Sequence, residues 1–364
     1  MQNKGIILDN CKQIKEIFEQ NGVQRPFVCC GKSFQKTKLF EYLKQFDITV
    51  FDNIRPNPRF EDMVEASKLF NENKCDFIIG AGGGSPIDSA KMIRLMTTND
   101  IDTCLTEPMK NNGIKSLYIP TTAGTGAEAT KSSVFYINEK DKMSIANLDF
   151  LPDYVILDSS LLNTLPLYQR KVTSLDALCH SIESYWSVKA TDESREYAKK
   201  GILGFFENKN GYIKNTPDGN EGMLWASYYG GKAINITGTT AAHAMCYNIT
   251  MNCSVSHGHS VACDLSVIWE YMMKHLDKTN GGLTGKEIMK RFDEIGVLCG
   301  GKNAEDGLKI FNRVLSDFDL AFPKTDEKNI PLFVSKVDVT RLGNNPVKLD
   351  SDDLTAIYTE IFRR

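Results

Sequence analysis

Residues 75–91, CDFIIGAGGGSPIDSAK, contain the pattern that decides the fold of the N-terminal half. An apolar run ends in a cluster of glycines, and a helical pattern with proline near its start follows directly. Glycines at such a junction let the backbone approach a ligand closely, and the amides at a helix start suit a phosphate group. Four of the five residues 80–84 are glycines, more than a tight turn needs. The segment therefore predicts a strand, a phosphate-binding loop and a helix, with a simple turn as the alternative.

The same alternation of apolar runs and helical patterns extends on both sides of this segment. Further runs of strand type occupy 25–31, 48–54 and 115–122. Strands that alternate with helices predict a parallel sheet covered on both faces. From residue 174 onward the strand patterns fade and long helical patterns dominate. We therefore expect an α/β domain over 1–160 and a helical domain over 161–364.

A second loop of small residues and hydroxyls, PTTAGTGAEAT at 120–130, also follows a strand pattern. In isolation, a solvated turn explains it equally well. The carboxyl ends of parallel strands, however, meet at the crevice where open α/β sheets bind their ligands. Two such loops therefore predict one shared ligand site.

Composition restricts the class of protein. The 364 residues include 43 Lys and Arg against 46 Asp and Glu, and this balance argues against a general nucleic-acid binder. No secretory pattern opens the chain, and no apolar run approaches the roughly 18 residues that a membrane span needs. The ten cysteines are scattered without a CxxC pair, so we expect free thiols and a cytoplasmic location.

The histidines are concentrated in the second half. Three of the five lie between 243 and 259, in HAMCYNITMNCSVSHGH, and His180 follows Asp176 at i, i+4 spacing. That spacing places both side chains on one face of a helix, where the pair alone indicates a surface hydrogen bond. With His243 and His257 it supplies one carboxylate and three imidazoles, a good ligand set for a divalent transition metal. We therefore predict a metal site.

Four segments in this order resemble the iron-dependent (group III) alcohol dehydrogenase family. They are GGGSPIDSAK, PTTAGTGAEAT, LDALCHSIESYWS and HAMCY…HGHSVA, and shorter matches lie at 55–58, 151–158 and 344–354. The resemblance implies an N-terminal dinucleotide-binding α/β domain with a parallel sheet and an all-helical C-terminal domain. It also implies that NAD(P)H and Fe²⁺ or Zn²⁺ meet in a cleft between the domains, and that the protein forms a homodimer.

Carried over position by position, the resemblance assigns roles to individual residues. The implied metal ligands are Asp176, His180, His243 and His257. The implied cofactor contacts are Asn57, Gly82, Gly83, Gly84, Ser85, Asp88, Thr121, Thr122, Thr125, Thr130 and Lys142. Many members of the family carry a histidine four residues after the third ligand, but this chain has Tyr247 there. The proton source is therefore left open among Tyr247, His259, the cofactor ribose and water.

The HAxxY…HGH pattern is similar to a branch of the family that reduces phosphonoacetaldehyde and other small anionic aldehydes. We therefore expect an NAD(P)H-dependent enzyme that interconverts a small, anionic aldehyde and its primary alcohol. Ser254 and Ser256 precede His257, and hydroxyls suit phosphonate or sulfonate oxygens. A neutral short-chain alcohol dehydrogenase of the butanol type is the alternative. The intact ligand set disfavours a dehydroquinate synthase-like lyase and a non-catalytic binding protein.

The choice between NADH and NADPH depends on the end of the first nucleotide-binding strand. An acidic residue there hydrogen-bonds the adenosine ribose and repels a 2′-phosphate. This chain has Gly31 where NAD-preferring members of the family carry aspartate, and Lys32, Ser33 and Lys36 follow. The pattern predicts that NADPH is accepted and preferred. A solvated turn with incidental lysines is the alternative.

Overall fold

The computed structural model describes residues 5–138 and 141–364. The chain divides into two compact units, Met1–Thr164 and Leu165–Arg364. Within the described residues, no helix is both long enough and apolar enough to cross a membrane.

The first unit is built on a six-stranded sheet in which every pairing is parallel. Its strands are β1 (Ile6–Leu8), β2 (Pro26–Cys30), β3 (Thr49–Phe51), β4 (Phe77–Gly82), β5 (Lys115–Pro120) and β8 (Tyr154–Ile156). Their order across the sheet is β1-β8-β5-β4-β2-β3. An antiparallel hairpin of β6 (Ser132–Ile137) and β7 (Asp141–Ala146) lies outside this sheet. The predicted parallel sheet is therefore confirmed.

The apolar runs of the central strands are continuous because both faces of the sheet are buried. On β2, Phe27 and Cys29 belong to one core and Val28 and Cys30 to the other. The helices of this unit are α1 (Gln13–Asn21), α2 (Lys38–Leu43), α3 (Phe60–Glu72) and α4 (Gly84–Met96). Buried residues of α3 and α4 belong to the first core, and those of α1 and α2 to the second.

The second unit is helical. Its helices are α5 (Leu167–Trp186), α6 (Asp192–Ile213), α7 (Pro217–Thr237), α8 (Ala241–Asn252), α9 (His257–Lys274), α10 (Gly285–Leu298), α11 (Ala304–Asp317), α12 (Ile330–Ser335), α13 (Val339–Leu342) and α14 (Ser351–Arg363). Helix starts follow local chemistry: Thr191 and Ser194 form a capping box before α6, and Thr216 caps α7 ahead of Pro217. The predicted change from an α/β to a helical architecture is confirmed.

Candidate metal centre and nucleotide-binding loops

Helix α5 carries three buried polar side chains on one face. Asp176, His180 and Glu183 are spaced i, i+4, i+7, which places them in one stripe along the helix. Their exposed fractions are 3%, 6% and 0%. Ionisable groups are almost never buried so deeply unless they are paired or bind a metal. This stripe is therefore the base of a candidate metal centre.

Helices α8 and α9 bring two imidazoles to this stripe. The ligand atoms of Asp176, His243 and His257 all lie within 4.8 Å of one another. Nε2 of His243 is 3.4 Å from Asp176 Oδ1, and Nε2 of His257 is 3.6 Å from the same oxygen. The His257 side chain is 37% exposed, whereas that of His243 is 2% exposed. The group is therefore closed on the His243 side and open on the His257 side.

His180, the fourth predicted ligand, lies beside this group. Its ring stacks on that of His243 with centroids 4.5 Å apart, but neither of its nitrogens joins the atoms within 4.8 Å of one another. Burial disfavours the charged form of Asp176, yet His180, His257 and His243 together hold the pKa of this carboxyl well below its usual range. Three of the four predicted ligands are thus brought together, and the fourth is in ring contact with them.

The residues present fit a divalent metal. Asp176 Oδ1 and His243 Nε2 are buried and have no hydrogen-bond partner among the described residues. Buried polar atoms are normally satisfied, so a cation between them explains both. Tetrahedral ligands at about 2.1 Å from a metal lie roughly 3.4 Å from one another, close to the separations seen here. Carboxylate and imidazole ligands suit Fe²⁺ and Zn²⁺.

Gly258 allows helix α9 to approach α5 closely at the ligand group. A Cβ atom at Gly258 would lie 2.0 Å from the Val172 carbonyl oxygen and 3.1 Å from Cβ of Asp176. Any other residue would push the start of α9 away from α5. The glycine in the SHGH segment therefore keeps His257 next to Asp176.

Glu183 has a place in this centre that the sequence analysis missed. Its Oε1 accepts hydrogen bonds from the Thr240 hydroxyl at 2.7 Å and from the amides of Thr240 and Ala242 at 3.1 and 3.0 Å. Its Oε2 faces Nδ1 of His243. Burial disfavours ionisation, but His243 and the Thr240 hydrogen bond hold the pKa of Glu183 below its usual value. The signal was present, since LDALCHSIE continues the i, i+4 stripe to i+7.

Tyr247 lies on the open side of the ligand group. Its ring stacks on that of His257, with centroids 5.6 Å apart and an interplanar angle of 9°. The guanidinium carbon of Arg341 lies 5.4 Å from the centre of the Tyr247 ring. Burial raises the pKa of Tyr247, although Arg341 opposes this shift. The phenol is therefore protonated at neutral pH.

Arg341, whose guanidinium lies over the Tyr247 ring, is a residue that the sequence analysis did not single out. Its Nε donates to Asp338 Oδ2 at 3.0 Å, and its Nη1 donates to Thr239 Oγ1 at 2.7 Å. No hydrogen bond from Nη2 is found within residues 5–138 and 141–364. The side chain is 19% exposed. Asp338 and Thr239 thus fix the guanidinium, and its Nη2 can donate a hydrogen bond to a ligand.

His259 and Ser256, which the sequence placed near the substrate, share Tyr168 as a partner. Tyr168 Oη lies 3.1 Å from Ser256 Oγ and 3.2 Å from His259 Nδ1. His259 Nε2 lies 2.8 Å from the Ala321 carbonyl, which only accepts, so this nitrogen carries the proton. Burial lowers the pKa of His259, which favours the neutral ring. Ser254 is exposed in a left-handed backbone conformation with φ 55°.

The two predicted nucleotide loops lie against each other at the carboxyl ends of β4 and β5. The first comprises Gly82, Gly83, Gly84 and Ser85, and the second contributes Thr121, Thr122 and Thr125. The Thr121 amide donates to the Gly82 carbonyl at 2.8 Å, and a Cβ atom at Gly84 would lie 3.1 Å from Thr125 Cγ2. Helix α4 begins at Gly84, so its free amides open onto the same place. This arrangement suits a pyrophosphate.

Lys91 joins two of the other predicted cofactor residues. Its fully buried Nζ donates to Asp88 Oδ1 at 3.0 Å, to Thr130 Oγ1 at 3.0 Å and to the Ser132 carbonyl at 2.6 Å. The other carboxylate oxygen of Asp88 accepts from the Val134 amide at 3.0 Å. Asp88 and Thr130 are thus bonded to one internal cation, which fixes α4 to the segment after the second loop.

Asn57 and Lys142 both lie near the β6–β7 hairpin. Asn57 is exposed with φ 62°, and the next carbonyl, that of Pro58, accepts from the Tyr136 amide at 2.8 Å. Lys142 is the cross-strand partner of Tyr136. Burial raises the pKa of Asp88, and Lys91 and Lys142 oppose that shift. Lys142 therefore lies near Asp88, and Asn57 precedes the residue that is hydrogen-bonded to the hairpin.

Glu128, like Glu183 and Arg341, is a residue that the sequence analysis did not single out. It is 1% exposed, and its Oε1 has no hydrogen-bond partner in the part of the chain that the structure describes. Burial raises its pKa to about 7. The signal was its position as the lone charged residue in GTGAEAT. The second loop thus carries a carboxyl group that titrates near neutral pH.

Two family models match nearly the whole chain. Residues 6–159 match the model described as iron-containing alcohol dehydrogenase. Residues 171–362 match the C-terminal model of the Fe-containing alcohol dehydrogenase family.

Individual relatives are more distant. The NADPH-dependent butanol dehydrogenase of Clostridium saccharobutylicum is 26% identical over 349 residues, covering 89% of this chain and 87% of the relative. The phosphonoacetaldehyde reductase of Streptomyces viridochromogenes is 25% identical over 339 residues, covering 89% of this chain and 85% of the relative. The crystal structure of sulfoacetaldehyde reductase from Bifidobacterium kashiwanohense with NAD⁺ has a TM-score of 0.87 at 22% identity, over 100% of this chain and 98% of that one.

Proposed function

The chain belongs to the iron-containing alcohol dehydrogenase family, and on this premise we propose that it interconverts a small aldehyde and its primary alcohol with NAD(P)H and a divalent metal. The observation that carries the proposal is the group of Asp176, His243 and His257, with ligand atoms within 4.8 Å of one another. His180 is proposed as the fourth ligand, since its ring contacts His243. The family favours iron, and the ligand types also suit zinc.

When bound, the metal would supply Lewis-acid chemistry for a carbonyl oxygen, and the nicotinamide would supply the hydride. The chain's own residues hold and orient these groups. Asp176 supplies negative charge to the metal, and Glu183 keeps the His243 ring in place. We assign the hydrogen bond to the substrate oxygen to Tyr247, because its protonated phenol lies on the open side of the group. His259 is a weaker candidate, since both of its ring nitrogens have partners.

The nucleotide is proposed to bind at the two loops of the first unit. The amides at the start of α4 and the hydroxyls of Thr121, Thr122 and Thr125 would receive its phosphates. Asp88 and Thr130 are proposed to act through Lys91, whose hydrogen bonds fix their positions. Asn57 and Lys142 are proposed as further contacts near the hairpin.

Reduction of an aldehyde tests the proposal directly. Protein loaded with Fe²⁺ or Zn²⁺ is mixed with NADPH and an aldehyde, and loss of the near-ultraviolet absorbance of the reduced nicotinamide is followed. We expect net consumption of NADPH that stops when a chelator removes the metal and returns when the metal is restored. A lyase or a binding protein consumes no net NADPH. Full activity in protein shown to be metal-free would contradict the proposal.

For the substrate, we propose a small anionic aldehyde such as phosphonoacetaldehyde or sulfoacetaldehyde. Arg341 supports this choice, because its guanidinium lies over Tyr247 and leaves Nη2 for an anion. Relatives at similar distance include both a phosphonoacetaldehyde reductase and a butanol dehydrogenase. A neutral short-chain aldehyde is therefore the second candidate.

We predict that Gly31→Asp shifts the cofactor preference from NADPH toward NADH. In this chain Lys32, Ser33 and Lys36 are exposed after β2. A Cβ atom at Gly31 would meet only Ser33 Oγ, at 3.9 Å, so the fold accepts the aspartate. The new carboxylate would repel a 2′-phosphate and bind the ribose hydroxyls. We expect kcat/KM for NADPH to fall roughly 10- to 100-fold while that for NADH holds or rises, since charged hydrogen bonds are worth about 1.5–3 kcal/mol.

Steady-state kinetics with both cofactors measure this shift. Gln20→Glu adds the same charge at an exposed position on α1 and serves as the control. A strong NADH preference in the unmodified protein would contradict the assignment of Lys32, Ser33 and Lys36 to a 2′-phosphate.

A further inference from the structure

We infer that Glu183 is a positioning residue that sets which nitrogen of His243 carries the proton. It holds the proton on Nδ1 and leaves Nε2 as a lone pair directed toward Asp176. The inference rests on the proposed metal site, because only the lone pair of a neutral imidazole binds a metal. Glu183 acts through His243 and is assigned no contact with substrate.

The two oxygens of Glu183 have separate partners. Four donors point at Oε1: the Thr240 hydroxyl at 2.7 Å and the amides of Thr240, Ala242 and His243 at 3.1, 3.0 and 3.3 Å. Oε2 faces the Nδ1 atom of His243. Ionised carboxylate is the side chain that accepts on both oxygens and donates on neither. Oε1 of Glu183 is therefore surrounded by hydrogen-bond donors, and Oε2 faces the imidazole of His243.

A helix cap alone does not account for this arrangement. The amides of Ala242 and His243 are free donors of the first turn of α8, and no side-chain cap comes from its own N-cap residue, Thr240. One oxygen of Glu183 satisfies them. The second oxygen contributes nothing to the cap, and it faces the ring whose other nitrogen lies 3.4 Å from Asp176 Oδ1.

The charges of the buried carboxylates also support a neutral His243 that binds a divalent metal. Asp176 and Glu183 are both buried and lie on opposite nitrogens of the one imidazole. A neutral His243 between them leaves two negative charges, which a single divalent cation balances. Carboxylates in this outer position are a common feature of metal-binding histidines, since they fix the ring and raise its basicity.

Glu183→Gln separates the two functions because glutamine has a single acceptor oxygen. If that oxygen faces the four donors, the amide NH₂ faces Nδ1 of His243 and donates to it, so the proton moves to Nε2. If the side chain is turned around, its NH₂ meets the amides of Thr240 and Ala242, and donors face donors. The first orientation satisfies more groups, and it leaves Nε2 of His243 unable to bind metal.

The experiment uses the full chain with selectively ¹⁵N-labelled histidine. In metal-free protein, at a pH where the imidazoles are neutral, ¹⁵N shifts report which nitrogen of His243 is protonated. In parallel, Zn²⁺ dissociation constants are measured by chelator competition. We expect Nδ1–H in the unmodified protein, Nε2–H in Glu183→Gln, and a loss of Zn²⁺ affinity of about 10- to 100-fold in the variant.

Thr240→Val is the matched control, because it removes a donor to Oε1 and leaves Oε2 facing His243. We expect it to lower the melting temperature while keeping Nδ1–H and near-normal Zn²⁺ affinity. Unchanged Zn²⁺ affinity in Glu183→Gln, or Nε2–H in the unmodified protein, would overturn the inference; the second measurement needs no variant to fold. If the unmodified protein binds no metal, the proposed function fails, while the protonation measurement still tests Glu183 by itself.

Discussion

Replacing His257 with alanine is expected to remove most of the bound metal and most of the turnover while the fold survives. Its Nε2 is one of three ligand atoms within 4.8 Å of one another, so its loss leaves an incomplete group. Even outer-shell changes weaken metal binding about 10- to 100-fold, so loss of a direct ligand should cost at least 100-fold. The side chain is 37% exposed, so its removal opens no closed cavity in the core.

Metal content after dialysis, Zn²⁺ affinity, kcat/KM and far-ultraviolet circular dichroism together check this prediction. His275→Ala is the control, because that imidazole accompanies Tyr271 at a ring distance of 4.0 Å and lies outside the ligand group. The control should keep its metal and its activity. Undiminished metal with full activity in His257→Ala would refute the assignment of His257 as a ligand.

Strands that leave a pattern in their own residues could be predicted from the sequence. A strand buried on both faces is a continuous apolar run, and 25–31, 75–85 and 115–122 contain β2, β4 and β5. The edge strands β1 and β3 and the inner strand β8 have three residues each, too few for a pattern to develop. The 48–54 run still predicted β3, whereas β1, β8 and the β6–β7 hairpin were missed as strands. β1 and β8 pair with each other across almost 150 residues, which a local pattern does not contain, whereas β6 and β7 form a local hairpin that the sequence analysis did not identify.

The candidate site was predictable as a set of residue types and only in part as an arrangement. Spacing placed Asp176 and His180 on one helix face, but it did not show that the His180 ring stacks on that of His243, beside the group formed by Asp176, His243 and His257. It likewise did not show Tyr168 holding both Ser256 and His259. These contacts arise from the packing of α5 against α8 and against the start of α9. Sequence spacing along one helix alone does not encode them.

Residues that hold the candidate ligands in place were harder to predict than the candidate ligands themselves. Glu183 continues a recognisable stripe, yet its partners Thr240 and Ala242 lie more than fifty residues away. Lys91 belongs to the glycine-loop motif, and its bonds to Thr130 and Ser132 span about forty residues. Buried ions with long-range partners follow from tertiary structure, because their burial is tolerated only where hydrogen bonds replace water.

Arg341→Met is expected to lower kcat/KM for anionic aldehydes much more than kcat/KM for neutral aldehydes. The guanidinium is held by Asp338 and Thr239 and lies over the Tyr247 ring, and that ring stacks on His257. An anionic substrate group at Nη2 would gain a charge-assisted hydrogen bond, worth about 1.5–3 kcal/mol or roughly 10- to 100-fold in kcat/KM. A neutral aldehyde has no group to use this donor. Its kcat/KM should therefore change much less.

The measurement is kcat/KM for sulfoacetaldehyde and phosphonoacetaldehyde against propionaldehyde and butyraldehyde, in the unmodified protein and in the variant. The ratio of kcat/KM between the two classes of substrate reports the contact, because lost packing on Tyr247 affects all four substrates alike.

Arg341→Lys is the matched control. It keeps the charge but loses the hydrogen bonds to both Asp338 and Thr239, so it should recover part of the ratio. Asp338 still caps α13 through the Thr340 and Arg341 amides, so removing the guanidinium leaves that carboxylate with partners. Two outcomes would contradict the proposal: a preference of tenfold or more for neutral aldehydes in the unmodified protein, or an equal fall in kcat/KM for all four substrates in Arg341→Met. In either case the substrate is a neutral short-chain aldehyde and Arg341 is a packing residue.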